Sequence, residues 1–290
     1  MAQIRSVCAV SVPVIITRPA PQARQWCLQL QPLLGAGATL LPLPLIDIAP
    51  LHNDLACSGF SALWGKLHTY HAGVFVSIPA VEHFFASRPD AAARWNTLAL
   101  RAWAPGWGTR QALLDAGLHA ALIDCPPADA AQFDSETLWS LVKPQLLQTH
   151  NAPMQAMRVL RMRGTDLAPS ADDTAQAAAG TGRDWLSQAI AQAGGVADSV
   201  AVYRRQLPVW DASQLQAAQQ LARQAAVWLF GSSLALENLA KLLPEQAWHA
   251  CTAIATHPRI AAKAQALGFG RVAICRPALP DIAQSIQSCV

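Results

Sequence analysis

The stretch VPVIITRPAPQARQWCLQLQPLLGAGATLLPL, residues 12–43, decides the fold. Its first six residues form an apolar, β-branched run, which predicts a buried strand. An Arg-Pro turn then leads into an amphipathic segment at residues 22–34, which predicts a helix that ends at Gly35. Residues 38–43 predict the next strand. A strand, a helix and a second strand of these lengths form a βα unit, which is typical of a parallel sheet.

The same alternation continues to the end of the chain. Further apolar runs predict strands at residues 73–77, 98–103, 157–161, 196–202, 227–230, 252–255 and 271–275. Amphipathic runs between them predict helices, among them residues 110–116, 184–193, 214–224 and 260–267. Strands that alternate with helices in this way predict an α/β fold built on parallel sheets.

Two extended segments interrupt the alternation. They are LPLPLIDIAP, residues 41–50, and the stretch around residues 206–208. Proline-rich extended segments suit a chain that leaves one sheet and enters another. We therefore predict one domain inserted into another. The first domain comprises residues 1–44 and 208–290, and the inserted domain comprises residues 45–207. The polar, low-complexity stretch at residues 165–182 predicts a surface loop.

A faint internal repeat links the two predicted domains. VFVSIPAVE at residues 74–82 is similar to WLFGSSLALE at residues 228–237, and each reads as a strand, a hydroxyl-bearing turn and a helix. Thr109 and Thr256 lie in comparable turns further along. Ser and Thr at such junctions are most often helix N-caps. Four of these turns at one cleft would also present hydrogen-bond donors to an acidic ligand.

Composition restricts the class of protein. The 290 residues include 21 Lys and Arg against 18 Asp and Glu, so the net charge is +3. A hydrophobic content of 52% with only 13% charged residues excludes a disordered chain. Because this charge provides no basic stripe, we expect no nucleic-acid partner. The longest apolar stretch, residues 33–51, is broken by prolines and an aspartate, so we expect no membrane span.

The cysteines indicate the compartment. Seven scattered cysteines form no C-x-x-C pair, a pattern that fits a reducing cytoplasm. The apolar run after Arg5 has some likeness to a secretion signal. However, it contains Pro13 and leads directly into a strand pattern, which favours a folded N-terminal segment.

Motifs for cofactors are missing from the sequence. There is no H-E-x-x-H, G-x-G-x-x-G, Walker A or G-x-S-x-G motif. We therefore expect neither a metal ion nor an organic cofactor. APGWGT, residues 104–109, leaves two interpretations open. It is either a tight strand-to-helix turn or a set of backbone N–H groups that bind an anion.

Several polar side chains follow predicted strands. Four arginines occupy predicted strand ends: Arg18, Arg161, Arg163 and Arg204. Ligands of open α/β sheets bind at these carboxyl ends. Tyr203 lies at the end of a strand, just before the second extended segment where the chain crosses between the predicted domains, and it is either a buried structural residue or a functional one.

In their order and spacing these segments resemble the uroporphyrinogen-III synthase family. The matching motifs are ITRP at 16–19, LP with Ile at 41–46, FVS with AV at 75–81, FDSE at 133–136, RG at 163–164, GRDWL at 182–186, VYRR at 202–205 and SS with NL at 232–239. Three features depart from the family pattern. Gly231 stands where the family has Thr, THPR at 256–259 replaces a Gly-Pro-x-Thr turn, and residues 165–182 are an insertion.

The resemblance implies a fold and an activity. The fold is two flavodoxin-like parallel-sheet domains joined by a two-stranded connection, with the active cleft between them. The reaction is the cyclisation of hydroxymethylbilane, an acidic linear tetrapyrrole, to uroporphyrinogen III, with loss of water and inversion of ring D. We expect a cytoplasmic monomer that acts without a cofactor.

The resemblance also suggests site residues. Tyr203 is the expected general acid for the departing hydroxyl. The expected substrate-binding residues are Arg18, Ser77, Gly106, Thr109, Arg163, Gly164, Ser232, Ser233 and Thr256.

Two other functions remain open from sequence. One is a non-catalytic, two-lobed binding protein for an acidic small molecule, which would not convert hydroxymethylbilane. The other is a flavin-binding, flavodoxin-like protein, which would be yellow when purified.

Overall fold

The structure is a computed structural model that describes residues 12–51, 57–130, 132–148, 157–166 and 185–289. The apolar run that has some likeness to a secretion signal lies outside these residues up to residue 11, whereas its last part is described and includes the buried strand Val14–Ile16. The predicted surface loop at residues 165–182 also lies outside them, apart from its first two residues.

Strands and helices alternate along the described chain. The strands are β1 (Val14–Ile16), β2 (Leu40–Pro42), β3 (Asp47–Pro50), β4 (Ala72–Phe75), β5 (Arg101–Trp103), β6 (Ile123–Asp124), β7 (Arg158–Thr165), β8 (Val196–Gln206), β9 (Val227–Phe230), β10 (Thr252–Ala255) and β11 (Arg271–Ile274). The helices are α1 (Ala20–Leu34), α2 (Cys57–Lys66), α3 (Ile78–Phe85), α4 (Ala91–Thr97), α5 (Trp107–Asp115), α6 (Ser135–Gln148), α7 (Trp185–Gln192), α8 (Ala212–Ala222), α9 (Ser233–Leu242), α10 (Pro258–Leu267) and α11 (Leu279–Cys289).

The chain divides into two compact units. The first unit combines Met1–Asp47 with Gln206–Val290, and the second is Ile48–Arg205. The first crossing therefore lies three residues later than the sequence predicts. The reason is that Leu45 is held in the first unit: its N–H donates to the Thr17 carbonyl over 3.2 Å, and its carbonyl accepts from Asn238 over 2.7 Å.

The first unit contains a five-stranded sheet in the order β2-β1-β9-β10-β11, with all neighbouring strands parallel. This is the flavodoxin strand order, in which the second strand lies on one side of the first strand and all later strands lie on the other side. The change of side takes place between β1 and β9. Ligands of such sheets bind at the carboxyl ends of the strands beside this point.

The second unit contains a six-stranded sheet in the order β3-β8-β7-β4-β5-β6. The pairs from β8 through β6 are parallel. The connection is two-stranded, because β3 and β8 are neighbours and the Gln206 side-chain amide donates to the Asp47 carboxylate over 2.7 Å. From β4 the strands β5 and β6 are added on one side, and β7 and β8 are added on the other. The carboxyl ends of β4 and β7 therefore form the corresponding ligand-binding edge.

Apolar side chains cover both faces of the second sheet, as parallel sheets require. Val74 and Phe75 are successive residues of β4 that pack into two separate cores. On the Phe75 side, Phe84 lies edge-on to both Phe75 and Trp95, with ring centroids 5.5 and 5.6 Å apart. These cores fix the sheet against its helices and so hold the strand ends in place.

The α/β class with parallel sheets is confirmed, but several element bounds differ from the prediction. β5 begins at Arg101 rather than at residue 98, because the preceding residues close α4. There Ala99 has a φ of 52°, and the Leu100 N–H donates to the Trp95 carbonyl. β7 and β8 extend further than predicted, so Arg161 and Arg163 lie inside β7, and Arg204 lies inside β8, instead of at strand ends.

Within the described ranges, no helix is both long enough and apolar enough to span a bilayer.

Candidate functional site

In the second unit, Tyr203 and Ser77 meet at the carboxyl edge of the sheet. The Tyr203 hydroxyl and Ser77 Oγ are 2.9 Å apart. Ser77 is the N-cap of α3, where its Oγ also accepts the Ala80 N–H over 3.3 Å. In this pair either hydroxyl can be the donor. Once the phenol has given up its proton, only the Ser77 hydroxyl can donate.

A β-bulge places Tyr203 in this position. Arg163 pairs with Ala201, but the next residue, Gly164, pairs with Tyr203, so Val202 is extra on β8. Bulges turn a side chain away from the regular alternation and are frequent beside active sites. Here the result is that Ala201, Val202 and Tyr203 are all buried in succession.

Gly164 makes room for the Tyr203 ring. A Cβ built on Gly164 would lie 2.5 Å from Cε2 and 2.6 Å from Cζ of Tyr203, closer than real Cβ contacts allow. The phenol therefore lies directly on the glycine backbone. On another side, the His83 ring of α3 is stacked at 26° to the Tyr203 ring, with the centroids 5.9 Å apart.

Electrostatics keep Tyr203 protonated. Burial raises the pKa of Tyr203 above its ordinary value, while the hydrogen bond from Ser77 opposes that rise. The nearby charges of Arg205 and Arg163 also lower the pKa of the phenol, and Asp166 raises it. Desolvation is the largest of these effects. At neutral pH the phenol therefore holds a proton that it can donate.

The glycine-rich turn at residues 104–109 is the start of α5. Gly106 is its N-cap in extended conformation, with no side chain capping the helix, and Thr109 is buried one turn into it. Gly108 lies against Ile78, since a Cβ there would be 3.3 Å from Ile78 Cδ1. The N-termini of α3 and α5 are thus adjacent, which brings their first backbone N–H groups to the same edge.

In the first unit, Arg18 lies at the carboxyl end of β1. Its guanidinium carbon is 3.7 Å from the centroid of the Trp26 ring, a stacked cation–π contact. Gly231, after β9, lies close to the guanidinium, because a Cβ there would be 3.3 Å from Nη2 of Arg18. Burial lowers the pKa of Arg18 to about 10, which leaves it charged at neutral pH.

Three further predicted residues of this unit lie at helix starts. Ser232 is the N-cap of α9, where its Oγ accepts the Leu234 N–H over 3.2 Å, and Ser233 is the first helical residue. Thr256 does not cap α10. That role belongs to His257, whose Nδ1 accepts the Arg259 N–H, while the Thr256 hydroxyl donates to the Phe230 carbonyl over 3.5 Å.

The predicted residues thus form separate groups. Tyr203 is hydrogen-bonded to Ser77 and lies against Gly164, and Arg163 precedes Gly164 in the chain. Gly106 and Thr109 start the helix next to α3. Arg18, Ser232 and Ser233 lie at the ends of neighbouring strands in the first unit, and Thr256 follows the next strand.

Sequence reasoning did not find His83, Trp26 or the role of Gly231. His83, which stacks on Tyr203, and Trp26, which stacks on Arg18, belong to no sequence motif that distinguishes them from core residues. Gly231 was visible only as a departure from the family pattern.

The described residues offer no group of three or more His, Cys, Asp or Glu side chains that could hold a metal ion.

Comparisons with known proteins agree with this architecture. The family model described as uroporphyrinogen-III synthase HemD matches residues 29–283. The uroporphyrinogen-III synthetase of Helicobacter pylori has 14% identity and a TM-score of 0.56, with 96% of this chain and 100% of that chain covered. A mutant uroporphyrinogen III synthase from the extremely thermophilic bacterium Thermus thermophilus has 14% identity and a TM-score of 0.52, covering 96% and 98%. At such identity the structural similarity shows the fold alone.

No curated protein matches the chain significantly. The family model nevertheless covers most of the 290 residues, and it does so across both units. The chain therefore belongs to the uroporphyrinogen-III synthase family.

Proposed function

We propose that the chain catalyses its family's reaction, the conversion of hydroxymethylbilane to uroporphyrinogen III, with Tyr203 as the general acid. The observation that supports this role most directly is the buried phenol 2.9 Å from the Ser77 hydroxyl, at the carboxyl edge where ligands of parallel sheets bind. The phenol holds its proton at neutral pH, as an acid must.

In the first step Tyr203 donates its proton to the hydroxyl of the terminal hydroxymethyl group. The carbon–oxygen bond breaks as the pyrrole nitrogen supplies its lone pair, so water leaves and an azafulvenium cation remains. The Ser77 hydroxyl then donates to the phenolate oxygen of Tyr203. This hydrogen bond stabilises the negative charge at the moment it forms, as preorganised donors do in other active sites.

In the following steps the far terminal ring attacks through its substituted α-carbon. The resulting spiro intermediate fragments, and the ring recloses in the inverted orientation. The proton released as the last pyrrole regains aromaticity returns to Tyr203. The balance is one substrate converted to one product and one water, with the phenol restored. The protein's main contribution is to orient the chain and disfavour closure without inversion.

The remaining predicted residues serve to bind the acidic substrate. Arg18 supplies a positive charge in the first unit. Gly106 and Thr109 belong to the start of α5, and Ser232 and Ser233 to the start of α9, where backbone N–H groups favour anions. Arg163 and Gly164 support the Tyr203 group from β7. Thr256 contributes by fixing its turn to the Phe230 carbonyl rather than by capping a helix.

We propose further that the protein works as a monomer in the cytoplasm. In support, five described cysteines are free thiols: Cys27, Cys125, Cys251, Cys275 and Cys289. Free thiols persist in reducing compartments. Sedimentation velocity of the purified chain at several concentrations tests the monomer, since a mass that doubles with concentration would contradict it.

The test of the activity uses freshly prepared hydroxymethylbilane and identification of the isomer produced. We expect uroporphyrinogen III in excess over a protein-free control. Formation of only the isomer without ring inversion would contradict the proposal. A protein that binds hydroxymethylbilane but leaves its rate of disappearance unchanged would instead be the non-catalytic binding protein.

A further inference from the structure

His83 contacts the phenol of Tyr203 without taking part in the proposed chemical steps. It is a partly buried residue of α3, and its imidazole ring lies at 26° to the phenol ring, with the centroids 5.9 Å apart. Aromatic pairs in this distance range form offset stacks that favour one relative orientation of the two rings. The stack therefore restricts the phenol more than its hydrogen bond alone does.

Helix α3 holds the phenol at two points. Ser77, the N-cap of this helix, has its Oγ 2.9 Å from the phenolic oxygen, and His83, six positions further along the chain, stacks on the ring. A hydrogen bond to the oxygen leaves the ring free to tilt and to turn about its own axis. A second contact on the ring removes much of that freedom.

The core of the second unit holds α3 itself in place. Val81 and Phe84 are buried residues of this helix, and Phe84 lies edge-on to both Phe75 and Trp95. Side chains in close-packed cores have little freedom to move. Because His83 directly precedes Phe84, its backbone position is fixed by this packing.

The backbone of β7 confines the phenol as well. A Cβ added to Gly164 would lie 2.5 Å from Cε2 of Tyr203, so the ring lies against the glycine backbone. A glycine, a serine hydroxyl and an imidazole ring thus surround one phenol. A general acid must have its proton within hydrogen-bond reach of the leaving group, and small misplacements reduce the rate strongly. Fixed contacts of this kind preorganise an acid.

We propose that His83 is a positioning residue for the general acid. Its stacked ring, together with Ser77, holds the Tyr203 phenol in the orientation from which the phenol donates its proton. This inference rests on the proposed function and deepens it. His83 acts through Tyr203 and not on the substrate. Its contribution comes from a flat ring, so another aromatic side chain should replace it, whereas alanine should not.

Steady-state kinetics with hydroxymethylbilane compare His83→Ala and His83→Phe with the wild type. We expect kcat to fall about 2- to 10-fold in His83→Ala, the scale of one aromatic stack, while KM changes little. His83→Phe keeps a flat ring and should restore most of kcat. His68→Ala is the matched control, because His68 is an exposed histidine of the same unit, and this variant should keep the wild-type kcat.

A double-mutant cycle tests whether His83 acts through Tyr203. The acid is already missing in Tyr203→Phe, so the addition of His83→Ala should lower kcat no further. Two residues that contribute independently would give additive effects instead. A second fall in kcat, by the same factor as in the wild-type background, would therefore contradict the positioning role.

A second measurement does not depend on activity. The chain contains only two tyrosines, Tyr70 and Tyr203, so ¹³C-labelled tyrosine gives two Cζ signals in NMR spectra, and Tyr70→Phe assigns them. The Cζ signal of Tyr203 reports the hydrogen bond of its hydroxyl, and Ser77→Ala shows where the signal lies when that bond is lost. His83→Ala should move the signal towards that position, and His83→Phe should leave it near its wild-type position.

The outcomes distinguish this inference from the proposed function. A wild type that makes no uroporphyrinogen III contradicts the function, while the Cζ signals still test whether His83 holds the phenol. An active wild type together with an unchanged kcat in His83→Ala contradicts the positioning role alone. An equal loss of kcat in His83→Phe and His83→Ala also contradicts it, because the imidazole would then act through something other than its flat ring.

Discussion

The hydroxyl groups of Ser77 and Tyr203 lie 2.9 Å apart although 126 residues separate them in the chain. Ser77 comes from the turn after β4, and Tyr203 comes from the bulged part of β8. The strand between them in the sheet, β7, contributes the glycine on which the phenol lies. Three separate segments thus cooperate to present one protonated phenol.

Tyr203→Phe tests the phenol as an acid. We expect kcat to fall about 100-fold, the low end for a general acid, because the pyrrole nitrogen already assists loss of the hydroxyl. The melting temperature should change little, since phenylalanine fills the same space. Steady-state kinetics with hydroxymethylbilane provide the measurement. An unchanged kcat would reduce Tyr203 to a structural residue.

Ser77→Ala should also lower kcat, because the tyrosinate loses its hydrogen-bond donor. This variant additionally loses an N-cap, which costs about 1 kcal/mol of stability. Asp211→Ala is the control for that loss, because Asp211 caps the exposed start of α8. If the two variants lose equal stability and equal activity, Ser77 is only a cap.

Gly164→Ala tests the packing under Tyr203. The new methyl group would collide with the phenol ring, so the ring must shift from the position in which it meets Ser77. We expect lower kcat and a loss of stability of about 1–3 kcal/mol, the usual cost of overpacking. Gly65→Ala is the matched control, because no atom lies within 4 Å of its added Cβ and the position is helical. That control should gain about 0.5–1 kcal/mol. Full activity in Gly164→Ala would contradict the placement of the ring.

Alkaline pH should destabilise the protein through its two tyrosines. Burial, followed by a hydrogen bond to Asp198, raises the pKa of Tyr70 to about 12, and burial also raises the pKa of Tyr203. In the unfolded chain tyrosine ionises near pH ~10. Above that pH the unfolded state loses protons that the folded state keeps, so rising pH favours unfolding.

The contribution of Tyr70 to stability is thus complete below pH ~10 and is lost as the pH rises towards about 12. Urea unfolding between pH 9 and 11 provides the measurement. Stability should fall less steeply with pH in Tyr70→Phe than in the wild type. Parallel curves for the two proteins would show that Tyr70 has no raised pKa.

Ala99→Gly should stabilise the second unit. Ala99 has a φ of 52° where it closes α4, a conformation that disfavours any residue with a Cβ. We expect a gain of about 0.5–1 kcal/mol after the greater flexibility of unfolded glycine is counted. Gly117→Ala makes the reverse change at a φ of 92° and should destabilise the chain. Denaturant unfolding of both variants provides the measurement. A loss of stability in Ala99→Gly would contradict backbone strain at Ala99.

Much of the fold can be predicted from the sequence because its signals are local. The strands at residues 227–230 and 252–255 agree with β9 and β10, since each is a short, mainly apolar run that ends at a turn. The extension of β8 to Gln206 could not be predicted, because it depends on pairing with β3 and on the bulge opposite Gly164.

The candidate site is less accessible to sequence reasoning. Ser77 is predictable as an N-cap from its place between a strand and a helix. Its contact with Tyr203 depends on strand order, which no local pattern contains. The cap of α10 illustrates the same limit: Thr256 and His257 both suit a turn, and only the backbone geometry assigns the cap to His257.

The most direct test of the account is the isomer formed from hydroxymethylbilane by the wild type and by Tyr203→Phe in the same preparation. We predict that the wild type yields uroporphyrinogen III. The Tyr203→Phe variant should yield it about 100-fold more slowly, and the competing closure without inversion should then take a larger share of the product. A wild-type product identical to that of the protein-free control would contradict the assignment of catalysis to this chain.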